Sequence, residues 1–204
     1  MTENTELISL FPTIIYRQSN AFQLTTEELE FIENVEFTDN GLGNIISKDT
    51  FLLNSKELKR LKDTLTLHAN NYLNEVMNIK QEVYITNSWL NVTHKDKDHS
   101  LHNHSNSILS GVFYISASDS LPKITFKRDD FPFLLNMKAE EYHGANSVVW
   151  DVSVSDNDII IFPSKVLHAV KHNPSNQPRI SLAFNSFVKG TIGADGPGAD
   201  LIIK

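Results

Sequence analysis

Two hydrophobic periods divide this chain. Leu58, Leu61, Leu65, Ala69, Tyr72 and Val76 recur at steps of three and four, which marks one face of a helix, with charged residues on the other side. Asn54 or Ser55 stands where that helix needs a cap, and the stripe suits packing against a sheet. A shorter helix is predicted upstream, because Thr25 and Glu28 have capping-box spacing ahead of Leu29, Ile32 and Val35. Before both, Leu7 to Arg17 is apolar and β-branched around Pro12. Proline cannot donate to a ladder, so an edge strand or an extended segment is predicted there.

From Val83 the period shortens. Segments 83–93, 107–116, 122–127, 147–154, 158–162, 166–172 and 179–188 are apolar, β-branched or aromatic, and Ser, Asn, Asp, Pro and Gly separate them. Many short strands after a helical lead-in predict a mainly β fold with flanking helices, either a sandwich or a barrel-like jelly roll. The expected layout is a single domain over 1–204: a helical lead-in at 25–79, a β core at 83–188 and a tail at 189–204. The tail holds Gly190, Gly193, Gly196 and Gly198 and reads as a loop, with Leu201, Ile202 and Ile203 able to dock on the core. The stretch from Arg128 to Asn146 carries Phe131, Phe133, Leu134, Leu135 and Tyr142 among charges. It is long enough to cover the mouth of a site, and its aromatics are equally suited to packing on the sheet.

Composition narrows the function. With 204 residues and 40% apolar content, the chain can bury one sizeable core. The net charge is -7 and no run of Lys or Arg is dense enough to track a phosphate backbone, so nucleic acid is not an expected partner. There are no cysteines, which removes disulfides and thiolate metal sites and fits a reducing, cytoplasmic setting. No signal peptide and no membrane span are expected.

The remaining metal chemistry is nitrogen and oxygen. His102 and His104, two apart, share one face of a strand, and His168 can close a site from a facing strand. Imidazole suits iron, zinc, copper or nickel over magnesium or calcium. His68, His143 and His172 read as ordinary surface or satisfied core residues. A rival pair, His94 and Asp96, has the spacing of two ligands of a two-histidine, one-carboxylate iron site, but the run from Thr93 to His99 reads as a solvated loop. Arg179 opens a strand in which it shares a face with Ser181. A guanidinium fork grips a carboxylate through two parallel hydrogen bonds, and a neighbouring hydroxyl adds a third.

These residues and their flanks resemble the 2-oxoglutarate- and iron(II)-dependent oxygenases, and among them a subgroup common in phages and marine bacteria. The similar segments are 10–13, 89–92, 102–114, 158–164 and 179–185, which include His102-Asn103-His104 and Arg179-Ile180-Ser181. The resemblance implies a double-stranded β-helix, a cupin-like jelly roll, with Fe(II) and 2-oxoglutarate as cofactors. It also implies hydroxylation of a small-molecule or peptidyl substrate, with succinate and CO2 as coproducts. By position it makes His102, His104 and His168 the metal ligands. Arg179 would grip the far carboxylate of 2-oxoglutarate with help from Ser181, and Tyr114 would hydrogen-bond the same group. One departure stands out: the wider superfamily has Asp or Glu where this chain has His104. Two other readings stay open, a cupin-like three-histidine metalloenzyme that binds its substrate carboxylate directly at Arg179, and a noncatalytic β-sandwich that serves binding or structure.

Overall fold

The computed structural model describes residues 6, 8–118, 120–130, 138–193, 198 and 200–203. Leu7 and four of the loop residues singled out above, Phe131, Phe133, Leu134 and Leu135, lie outside them. Helix α1 (Thr26–Glu33) begins as its capping box requires: Thr25 Oγ1 accepts the Glu28 backbone N–H at 3.3 Å, and the Glu28 carboxylate accepts the Thr25 N–H at 2.7 Å. Helix α2 (Lys59–Asn71) buries Leu61, Leu65 and Ala69, with Leu58 and Tyr72 buried at its two ends.

Two details of α2 depart from the periodic reading. The N-cap is Leu58 without a side-chain bond, because Leu52–Asn54 form a 3-10 turn that takes Asn54 and Ser55 out of capping position. Asn54 instead accepts Lys62 Nζ at 2.8 Å, and Ser55 Oγ donates to the Leu52 carbonyl at 2.7 Å. Val76 is exposed, since the helix widens to a π-turn over Tyr72–Val76 and the wider turn rotates Val76 off the apolar face.

The strands in chain order are β1 (Tyr16–Gln18), β2 (Phe37–Asp39), β3 (Ile45–Ser47), β4 (Glu82–Thr93), β5 (His99–His102), β6 (Leu109–Ser116), β7 (Ile124–Lys127), β8 (Val149–Val152), β9 (Ile159–Pro163), β10 (Leu167–Val170), β11 (Arg179–Ile192) and β12 (Leu201–Ile203). Among the described residues they form an eight-stranded sheet, β1-β9-β6-β11-β4-β3-β2 with β12 on β11, and a four-stranded sheet, β5-β10-β7-β8. From β4 the chain passes between the sheets as major, minor, major, minor, minor, major, minor, major. Every ladder is antiparallel, so this order is the jelly roll, or double-stranded β-helix.

The major sheet is buried on both sides, and period-2 alternation sorts its side chains. Leu90, Leu109, Phe113, Ile159, Ile161, Leu182 and Phe184 meet Leu58, Leu61, Leu65 and Tyr72 on the helical side. Val112, Tyr114, Ile160 and Phe162 point the other way, into the β-helix, against Ile124 and Phe126 of the minor sheet. This is why β9 reads as an unbroken apolar run. The tail differs from the expected loop: β11 continues to Ile192 and pairs Gly190 with Ile203, so Ile203 reaches the core while Leu201 and Ile202 stay exposed. No helix among the described residues is long and apolar enough to cross a membrane.

One glycine is required by close packing. Gly111 lies opposite Phe184, and a Cβ there would come within 2.2 Å of Phe184 Cζ. Phe184 is fully buried and has nowhere to move. Gly111→Ala should cost roughly 1–3 kcal/mol of stability by urea unfolding, as overpacked cores do. A Phe184→Leu change on that background should recover part of the loss; an undestabilised Gly111→Ala would contradict this packing.

Candidate metal and anion site

The interior of the β-helix brings together the residues singled out by spacing. His102 ends β5 and pairs with His168 in the middle of β10, so both rings leave the same face of the minor sheet. His104, two residues on, completes the group, and one nitrogen from each of the three rings lies within 4.8 Å of the others. His104 Nε2 and His168 Nε2 are 3.3 Å apart. The second nitrogens set the tautomers. His102 Nδ1 lies 2.7 Å from the Ser100 carbonyl and His168 Nδ1 lies 3.0 Å from the Val166 carbonyl. A carbonyl only accepts, so each Nδ1 carries its proton and each Nε2 presents a lone pair to the centre.

Burial holds these rings neutral. The pKa of His168 is pushed down to about 3 and that of His104 to about 4, first by desolvation and then by neighbouring imidazoles. His102 is lowered by the same desolvation, opposed by its bond to Ser100. Three neutral imidazoles converging with free lone pairs form a donor set for a borderline metal such as iron, nickel or zinc.

Arg179 enters from the facing sheet. It is 2% exposed, and among the described residues no carboxylate lines the cavity it shares with the three histidines. Its Nη1 donates to Ser181 Oγ at 3.3 Å, its guanidinium carbon sits 5.0 Å above the Tyr114 ring, and its Nε has no hydrogen-bond partner. The Tyr114 hydroxyl, fully buried, makes no well-aligned hydrogen bond among the described residues although it interacts with the guanidinium, and desolvation pushes its pKa up to about 12 against the pull of Arg179, so it stays a protonated donor. A buried cation without a counterion is costly unless an anion joins it. The guanidinium, the Tyr114 hydroxyl and the Ser181 hydroxyl together supply the donors a carboxylate needs.

Several lining residues were not legible as such. Trp89 and Asn91 alternate on the inner face of β4, Asn91 lying opposite Ser181. Thr93, opposite Arg179, keeps a buried hydroxyl without a partner. His99 closes the run that reads as a solvated loop, yet it starts β5 and stacks on His102 with ring centroids 4.4 Å apart. Its pKa is pushed down to about 3, first by desolvation and then by the charges of His102, Arg179 and His104. The rest of that run is the expected turn. His94 and Asp96 are exposed, Asp96 faces His172 at 3.4 Å, and the pair joins no metal-binding group among the described residues. His68 accepts or donates a bond with Tyr16 at 2.8 Å and His143 closes a surface turn, both ordinary roles.

Comparison with known proteins follows the same lines. Residues 87–185, just under half of the chain and the segment that builds most of this site, match the family described as "Putative 2OG-Fe(II) oxygenase". No curated protein shows significant sequence similarity to the chain. Among solved structures, HygX from Streptomyces hygroscopicus with nickel, 2-oxoglutarate and hygromycin B bound superposes with a TM-score of 0.62 at 14% identity, over 85% of this chain and 82% of that one. The non-heme alpha ketoglutarate dependent epimerase SnoN from nogalamycin biosynthesis gives 0.62 at 11% identity, over 91% and 83%. A Pseudomonas putida prolyl-4-hydroxylase gives 0.55 at 11% identity, over 85% and 92%. At these identities the likeness is one of fold.

The neutral rings also set how the metal-free protein responds to acid. An unfolded histidine titrates near about pH 6.5, whereas folded His99, His104 and His168 titrate at about 3, about 4 and about 3. Between those values the unfolded chain binds more protons, so their contribution is complete above about pH 6.5 and is lost as pH falls toward the folded values. The thermal midpoint of metal-free protein should fall from about pH 7 to about pH 5, and less steeply in His168→Phe. A midpoint that stays flat across that window would contradict neutral burial.

Proposed function

We propose that this oxygenase uses His102, His104 and His168 to hold Fe(II), and Arg179 with Ser181 and Tyr114 to hold the far carboxylate of 2-oxoglutarate. It thereby hydroxylates a small-molecule or peptidyl substrate, with succinate and CO2 as coproducts. The observation that carries this reading is a single cavity where three converging imidazoles share space with a buried guanidinium that has no carboxylate partner among the described residues. When bound, the ferrous ion and the 2-oxo acid would supply electrons that reduce dioxygen, the oxidant whose two oxygen atoms end in the hydroxylated product and in succinate.

The chain's own residues do the rest. The carbonyls of Ser100 and Val166 hold His102 and His168 in the tautomer that leaves Nε2 free. Arg179 offers a charged fork at the end of the cavity away from bulk water, and Ser181, which accepts from that fork, keeps its own O–H for a ligand. Tyr114 stays protonated and contributes a second neutral donor. Charge then favours a dianion: a divalent metal plus Arg179 bring about three positive charges against no carboxylate in the lining, and 2-oxoglutarate removes two of them. His104 in place of a carboxylate makes this demand stronger, because one protein anion is missing from the metal's surroundings.

The cavity is narrow, about 30 Å³, room for one or two waters. The 2-oxoglutarate-bearing neighbours support the choice of cosubstrate, and hygromycin B in one of them supports a small polar substrate as a starting point.

Anaerobic calorimetric titration tests the assignment. Arg179→Ala should weaken 2-oxoglutarate binding to Mn(II)-loaded protein by roughly 100-fold while leaving Mn(II) affinity within about threefold. His104→Ala should weaken the metal by at least about tenfold, whereas His104→Asp should retain it, since a carboxylate also ligates iron and manganese. Equal 2-oxoglutarate affinities in wild type and Arg179→Ala would remove the clamp. Failure of metal-loaded wild type to bind 2-oxoglutarate would point to a substrate carboxylate bound directly at Arg179.

A further inference from the structure

His99 is the histidine that the oxygenase pattern does not use, and the backbone has been adjusted to bring it inside. Residues three apart on a regular strand leave opposite faces, so His99 and His102 should diverge. They do not, because β5 carries a bulge: His102 pairs with His168 and His99 pairs with Val170, three residues of β5 against two of β10. The extra residue turns His99 to the inner face, where it stacks on His102 with 22° between the rings. Bulges beside active sites commonly re-aim a side chain in this way.

Three features describe what the ring offers there. It lines the cavity together with Arg179 and the three other histidines, close enough for the Arg179 charge to act on it. Its stacking on His102 uses the ring face and leaves the edge free. Among the described residues neither ring nitrogen makes a hydrogen bond, and neither is sealed from solvent, so the edge is open to a ligand. A neutral imidazole keeps one N–H donor, and an unpartnered donor facing a site short of anions is suited to a carboxylate.

We propose that His99 is a binding residue for the dicarboxylate cosubstrate, its ring N–H donating to the ligand in the space between the histidine triad and Arg179. This rests on the oxygenase reading above. The stack on His102 sets the plane of the ring, and the bulge sets its direction, so that β5 supplies both a metal-facing and a ligand-facing imidazole from one side of the cavity.

Two substitutions separate ligand binding from packing. His99→Phe keeps an aromatic plate on His102 but has no N–H, and His99→Gln keeps a donor without the plate. Titrating Mn(II) and then 2-oxoglutarate anaerobically into wild type and both variants, His99→Phe should bind Mn(II) like wild type and 2-oxoglutarate roughly tenfold or more weakly. His99→Gln should lie between. Unchanged 2-oxoglutarate affinity in His99→Phe would overturn the proposal while leaving the oxygenase reading intact. Loss of Mn(II) affinity in His99→Phe would also overturn it, since the ring would then serve the metal set. A metal-loaded wild type that does not bind 2-oxoglutarate would overturn both.

Discussion

The site depends on the register of β11. This 14-residue strand is paired with β4 along one edge and with β6 along the other, and both ladders agree on which of its side chains face inward. Arg179, Ser181 and Ala183 enter the β-helix, while Ile180, Leu182 and Phe184 face the helical side. A slip of one residue would exchange the two sets, putting a guanidinium among leucines and burying no anion receptor at all. The buried apolar half of β11 resists such a slip, because Leu182 and Phe184 are completely enclosed by the helical layer and Phe184 fills the space left by Gly111. Packing on one face thereby holds the chemistry on the other.

The minor sheet meets the same need differently. Its inner face carries a row of aromatic rings from His102 through His168 to Phe126 in direct register, and Phe162 packs on His168 at 4.7 Å from the opposite sheet. Apolar rings around the imidazoles keep them uncharged, and the carbonyls of Ser100 and Val166 orient His102 and His168, so the nitrogens offered to a metal are set by groups outside the cluster itself. A cavity that lowers the basicity of its histidines and strands an arginine without a partner is poorly balanced by itself. A divalent cation and a dianion together restore that balance.

Much of this was legible in the chain, for reasons that differ between elements. The capping box at Thr25 and the stripe from Leu58 to Tyr72 are local signals and fold as they read. The seven longer strand segments each hold the strand assigned to them, because their β-branched and aromatic runs between turn-forming residues carry the signal even where, as in β8, no residue is buried. The three-residue strands β2 and β3 are too short to show a period. β5 is hidden for another reason: its inward residues are histidines, so a strand facing the interior has the composition of a surface loop. The His102, His104 and His168 grouping was legible because two ligands are close in sequence, whereas His99 needed a bulge to reach the cavity and no spacing rule anticipates one. Thr93 joins Arg179 through strand pairing alone, which a single sequence does not display, whereas Tyr114 was placed beside it only by the family resemblance.

The central claim is that one cavity first takes a metal and then a 2-oxo acid chelated to it. Visible absorption of the anaerobic Fe(II)-loaded protein reads that event directly, since chelation of the 2-oxo acid to ferrous iron creates a charge-transfer band that neither partner has alone. The band should appear on adding 2-oxoglutarate to Fe(II) protein, be absent with Zn(II), and vanish in His168→Ala. No band in wild-type protein shown to hold iron would contradict the account.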